Sequence, residues 1–229
     1  MKNINHLLEQ FLDVQKSRLK KRTYDDYEGT IHLFKTFLNQ YGYQHLEGSA
    51  ETLWETQIDN DPEFFTNLFG ADQITLSTFD EFIDYFVRHK VMSGKDFFKV
   101  TVRVMKKLST WLYNENHMDQ ATYATFQTYF QEDVKEIEQL EKLSDLIYDE
   151  QKKSPQVDYE NYLEGYLTIT AIKPKQLWVS NSFEKDIGPI CVSKEISDLC
   201  QLDWSMNVVI GKHNVKWYIL ESGNVSRDY

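Results

Sequence analysis

Cysteine is nearly missing from this 229-residue chain. Cys191 and Cys200 are too few and too isolated for a disulfide framework, and neither has a histidine nearby in sequence to activate it. The six histidines are dispersed, with no His-Glu-x-x-His and no Cys-x-x-Cys, so no metal site is expected. A Walker loop and a Gly-x-Gly-x-x-Gly fingerprint are also absent, and no cofactor is expected. No apolar run approaches bilayer length, and Glu9 and Asp13 interrupt the stretch where a signal peptide needs an unbroken apolar core. The expectation is a cytoplasmic protein with no membrane partner. Positive charge is short as well: 25 Lys and Arg face 36 Asp and Glu, a net of -11, which argues against generic polyanion binding.

What is present is apolar material and an uneven charge. At 41% hydrophobic and 14% aromatic residues, the chain can fill real cores. Residues 47–75 and 119–160 each carry a net of -7, whereas 1–46 and 76–118 each carry +2. Within the first basic segment, "KSRLKKR" gathers Lys16, Arg18, Lys20, Lys21 and Arg22 at the end of one helix. Cations at a helix C-terminus complement its dipole, so the cluster alone does not define a nucleic-acid site.

Up to about residue 150 the apolar period is helical. Ile4, Leu7, Leu8, Phe11, Leu12 and Leu19 mark a first helix face. Thr23 is the expected N-cap of a second helix, with Asp25 and Asp26 in its first turn, Tyr27, Ile31, Phe34, Phe37, Leu38 and Tyr41 buried, and Gly42 as its stop. Residues 43–75 form an acidic connection with short helical turns around Trp54 and 64–68. Ser77 and Asp80 have the spacing of a capping box for a third helix, and Ser93 is the expected cap of a fourth, whose stripe is Phe97, Val100, Val104, Leu108, Trp111 and Leu112. One acidic helix is expected over 119–150. "KKSPQVD" (152–158) then links to short β-branched and aromatic runs separated by Pro, Gly and Asn. Ser193 caps a short helix among them, and Gly211 to Asn214 make a hairpin turn. The expected domains are 1–118, a connecting helix 119–153, and 154–229. The last is a small β-rich domain, an OB-like barrel or bent sheet, whose open edges would be available for pairing.

Two stretches carry a family likeness. "LLEQFLDVQKSRLKKRTYDDYEGTIHLFKTFLNQYG" and "ITLSTFDEFIDYFVRHK", the second followed by "KLSTWLYNENHMD", resemble the N-terminal SAM-like core-binding domain of phage-integrase-type tyrosine recombinases. The likeness covers residues 4–42 and 74–119, about half the chain. It implies a mainly α bundle that forms half of a clamp on duplex DNA, with the second and fourth helices toward the DNA. The acidic stretch 43–75 departs from the family, where a short loop is usual.

Along the fourth helix, Lys95, Lys99, Arg103 and Lys106 recur on one face opposite Val104 and Leu108, and that face holds no acid. Lys16, Lys20, Lys21 and Arg22 would assist. On the second helix, Lys35, Thr36 and Asn39 are donors to phosphate, although Asp25 and Glu28 share the surface. Catalysis is not expected. The family's His-x-x-Arg pair is missing, and the nearest string, "HNVK" from His213 to Lys216, has Lys for Arg and falls in a hairpin. In the β-rich domain, Lys212, Lys216 and Tyr218 are candidates for a ligand surface, with Trp217 in the core. The partner expected first is duplex DNA. The rival is an interaction adaptor whose acidic blocks, 47–75 and 132–150, meet a basic protein, or which self-associates through the β-rich domain or the acidic helix.

Overall fold

The computed structural model describes residues 2–57, 61–90 and 95–227, with the backbone alone at His89, Lys95 and Asp96. The chain is helix-rich with a C-terminal mixed sheet, and it divides into two compact units, Met1–Val134 and Lys135–Tyr229. Among the described residues no helix is long and apolar enough to cross a membrane.

In the first unit, Asn3 opens α1 (Ile4–Lys16) by accepting the His6 amide at 2.9 Å. Spacings of three and four bury Ile4, Leu7, Leu8 and Phe11, while Leu12 is half-buried and Leu19 lies beyond the helix end. The second helix, α2 (Lys21–Tyr41), starts earlier than Thr23 suggests. Lys20 holds the N-cap position with extended backbone and no side-chain cap, so Asp25 and Asp26 fall beyond the first turn. Gly42 does follow the helix, but with φ -54 it is not a left-handed cap. A Cβ there would sit 2.8 Å from Phe65 Cζ, so the glycine makes room for a ring.

The acidic insertion folds into α3 (Ser49–Gln57) and α4 (Phe64–Leu68), at the two places where turns were expected. Trp54 holds them together, with Phe64 and Phe65 rings at 5.2 and 5.9 Å. Thr75, not Ser77, caps α5 (Leu76–Asp80) by accepting the Thr78 amide, and the helix runs on as a π-helical stretch, Glu81–Lys90. α6 (Lys95–Asn114) follows; the expected cap Ser93 lies outside the described residues. The core is aromatic. Phe34 lies 5.3 Å from Phe79 and 4.9 Å from Phe82, Phe37 lies 5.6 and 5.4 Å from Phe82 and Phe86, and Phe79 meets Phe126 at 4.7 Å.

The expected helix over 119–150 is two helices: α7 (Gln120–Gln131), capped by Asp119, and α8 (Asp133–Gln151). The break at Glu132 falls between stretches that serve different cores. Phe126, Tyr129 and Phe130 are buried in the first unit, while Leu140, Leu143 and Ile147 join the core of the second. Thus α8 belongs with the strands rather than connecting two domains. The composition change at 152–158 marks only the passage from helix to strand.

The strands of the second unit are β1 (Asn161–Lys173), β2 (Gln176–Ser180), β3 (Ile187–Cys191), β4 (Trp204–His213) and β5 (Lys216–Arg227). Between β3 and β4 lies α9 (Lys194–Leu199), capped by Ser193 as its sequence suggests. Alternation buries Leu167 and Ile169, Leu177 and Val179, and Val208 and Ile210. Lys175 and Asn214 take positive φ at the tight turns, so the β4–β5 hairpin turns at 214–215 and Gly211 is a strand residue. β1 pairs antiparallel with β4 through its first half and with β2 through its second. β5 pairs antiparallel with β4 and parallel with β3, giving the closed order β1-β2-β3-β5-β4. Each described strand therefore has two neighbours, and the free edges expected for pairing are used internally.

Replacing Phe34 by Ala should destabilise the first unit by about 3–5 kcal/mol, because its ring has neighbours on every side and the cavity cannot close. Gly42→Ala should cost about 1–3 kcal/mol by crowding Phe65. Urea unfolding followed by far-ultraviolet circular dichroism measures both.

Candidate nucleic-acid interface

The basic face of α6 is partly as its spacing suggests. Lys99 and Lys106 are exposed and have no carboxylate partner among the described residues. The side chain of Lys95 lies outside the described residues. Arg103 differs: its Nη2 is 3.4 Å from Asp26 Oδ2, with both side chains about half exposed (54% and 39%). The face is acid-free along α6 itself, but α2 brings a carboxylate against it, a neighbour that helical periodicity cannot reveal. The same contact fixes where the two basic groups lie. Arg22 is one turn before Asp26, so Arg103 stands beside the N-terminal end of α2 that carries Lys20, Lys21 and Arg22.

Those N-terminal cations are exposed. Lys16 Nζ lies 5.9 Å over the Tyr24 ring, and Lys21 pairs with Asp25 at 3.1 Å. Exposed pairs of this kind contribute about 0–1 kcal/mol and are readily exchanged for a better anion.

Further along α2 the expected phosphate donors are already engaged. Lys35 Nζ is 2.6 Å from Glu63 of the acidic insertion, and its side chain is 19% exposed. Asn39 Oδ1 accepts both the amide and the hydroxyl of Thr66, at 3.0 and 3.2 Å, and the Thr36 hydroxyl donates to the His32 carbonyl. Lys35, Thr36 and Asn39 thus hold α2 to the insertion or to itself, so none of the three stands free for phosphate as the sequence suggests. Nearby, the Asp61 carboxyl is held below its usual range, chiefly by the Glu63 amide and then by Asn67.

In the second unit the structure separates Lys212 from Lys216 and Tyr218. Lys212 is opposite the buried Trp217, with its Nζ 5.9 Å from that ring, whereas Lys216 and Tyr218 share the other face. Tyr218 is half-buried, with the Tyr159 ring 6.3 Å away. The three residues do not form one surface. Trp178 lies elsewhere on the outside, with Lys173 Nζ 4.8 Å from its ring. Gly188 permits this arrangement, since a Cβ there would fall 2.6 Å from the indole Cδ1.

Sequence reasoning missed one pair. Asp84 and Arg88 sit one turn apart in the π-helical stretch, 2.6 Å between Oδ1 and Nη1, with side chains only 4% and 2% exposed. Their spacing is that of an ordinary surface ion pair. The available signal was the density of apolar residues around Asp84, with Phe82, Ile83, Phe86 and Val87 all buried.

Burial shifts two further groups, His117 and Cys200. Burial, with Lys2 adding to it, holds the His117 imidazole below its usual range, so it is neutral at pH 7. It lines an open cleft of about 680 Å³ with Ile74, Met118, Thr122 and Phe126. Burial pushes the Cys200 thiol up to about 12, far from a reactive thiolate. No protein-family model, curated protein or solved structure matches the chain. The likeness to recombinase core-binding domains therefore rests on the sequence motifs.

Asp84→Ala should cost about 3–5 kcal/mol in urea unfolding, because Arg88 would remain buried without that carboxylate. Replacing both residues by apolar ones of similar size should recover much of the loss. In native protein at pH 8, iodoacetamide should leave Cys200 unmodified until denaturant is added, as mass spectrometry of the digested chain would read.

Proposed function

We propose that the first unit is a SAM-like core-binding module of the tyrosine-recombinase kind that docks on the backbone of duplex DNA without catalysing strand exchange. The observation that carries this reading is the cationic surface of α6. Lys99 and Lys106 stand exposed and uncompensated in a chain of net charge -11, and Arg103 adjoins the Lys20–Arg22 end of α2. Lys95 belongs to the same face by spacing, and Lys16 extends the basic end of α2. Phosphates would displace Asp26 from Arg103 and release counterions, so binding would be strongly salt-dependent with little base readout. No residue is assigned to catalysis. The second unit is read as an OB-like accessory module, supported by its strand order and by the helix between β3 and β4.

One observation favours a second reading, an interaction adaptor of the same fold. Glu63 occupies Lys35, and the acidic insertion lies against the helix that a clamp would present to DNA.

Titrating a short duplex with the full chain across a salt series separates the two. Wild type should bind at low salt with a steep negative log–log slope. The Lys99→Glu/Arg103→Glu variant should bind weakly, with a slope shallower by about two. Absence of wild-type binding at low salt, or a variant indistinguishable from it, leaves the adaptor.

A further inference from the structure

The second unit carries a surface with the opposite charge. β1, β4 and β5 lie side by side with β4 in the middle, and direct cross-strand partners share a face of the sheet. On the outer face, β4 contributes Gly211, Val209 and Asn207, which make a low floor. On the β1 side their partners are Tyr162, Glu164 and Tyr166, and on the β5 side Gly211 faces Tyr218 and Val209 faces Glu221. Along Val209 and Asn207 the floor has Glu164 and Tyr166 on the β1 side and Glu221 on the β5 side, while Tyr162 and Tyr218 flank Gly211. One end is closed, because Tyr159 and Leu220 fill the space above Gly211, and Lys216 of the same face lies beyond that closed end. The slot runs from Val209 toward Asn207.

The walls are open to solvent. Tyr162 and Tyr166 are 60% and 58% exposed, and Glu164 and Glu221 are exposed with no cation partner among the described residues. Strand geometry places the backbones of Glu164 and Glu221 about 10 Å apart across Val209, and that of Tyr166 about 7 Å along the strand from Glu164.

We infer that this slot binds a basic, arginine- or lysine-bearing segment of a partner protein. The ligand's charge is set by Glu164 and Glu221. Its shape is set by Val209, which meets the aliphatic stem of a long side chain, and by the face of Tyr166, which attracts a cation head. A nucleic acid would find the same aromatic rings, but with two uncompensated carboxylates among them that repel its phosphates. The slot takes a protein ligand and gives the unit a role independent of the α6 cations.

The test uses the full chain and a fluorescein-labelled dodecapeptide alternating Arg and Ser, with a Glu–Ser peptide and a single-stranded oligonucleotide as comparisons. The basic peptide should bind and the other two should not. Glu164→Gln/Glu221→Gln should lower its affinity at least about tenfold, and Tyr166→Ser should lower it about threefold or more. Lys99→Glu/Arg103→Glu should leave it unchanged, which separates failure here from failure of DNA docking. All these side chains are exposed, and matching circular dichroism would confirm that the variants fold. Absence of peptide binding at low salt, or binding unaffected by the double glutamine variant, overturns the inference. Oligonucleotide binding lost in that variant would assign the slot to nucleic acid, and a dimer lost in it by sedimentation would assign it to a second copy; either result also overturns the inference.

Discussion

The packing of aromatic rings from α2 against α5 and the π-helical stretch is the constraint on which the first unit depends. Phe34 and Phe37 reach from one helix into Phe79, Phe82 and Phe86. Such pairs contribute about 0.5–1.5 kcal/mol each beyond the apolar area they bury. The ion pair that crosses from α2 to α6, Arg103 with Asp26, is half exposed and contributes about 0–1 kcal/mol. Packing therefore decides where α2 lies, and α2 in turn decides what adjoins the cations of α6. This ordering frees the surface: charges on α6 can change without weakening what holds the bundle together.

Charge is used differently at depth and at the surface. Asp84 and Arg88 are paired where solvent hardly reaches, so each is costly without the other. Lys21 with Asp25, or Lys152 with Asp149, makes a pair of similar sequence spacing in open solvent. The backbone relation is nearly the same, and the neighbours set the energetic consequence. A cation's value to a polyanion likewise depends on what already compensates it. That distinguishes Lys99 and Lys106 from Lys35, although all three look alike as letters in a helix.

Much of the architecture could be read from residue order. Most of the buried stripes of α1 and α2, the Val104, Leu108, Trp111 and Leu112 part of the α6 stripe, the turns around Trp54 and 64–68, and the Ser193 cap follow from local periodicity and capping chemistry, which act over one or two turns. Tyr41, Phe97 and Val100 are only half-buried, and Phe98 and Met105 are buried on α6 instead. Errors gathered where distant residues decide. Gly42 is needed for a ring from residue 65, and the helix break at Glu132 separates residues buried in two different units. Closure of the sheet depends on β5 reaching β3, a parallel pairing that alternation within either strand cannot signal. The candidate site behaved the same way. Spacing identified the α6 face, but the partners of Arg103 and Lys35 lie 77 and 28 positions away in the chain and were invisible. Lys212 and Lys216 looked like neighbours because sequence proximity hides which side of a sheet a residue occupies.

The acidic insertion has a mechanical consequence. It is fastened to α2 by Lys35 with Glu63, and also by neutral bonds from Thr66 to Asn39. High salt would weaken the first attachment and spare the second. The attachment of the Glu63–Thr66 end to α2 is therefore only partly ionic. The stretch of α2 left open beside its basic end is bounded by a contact that does not depend on ionic strength.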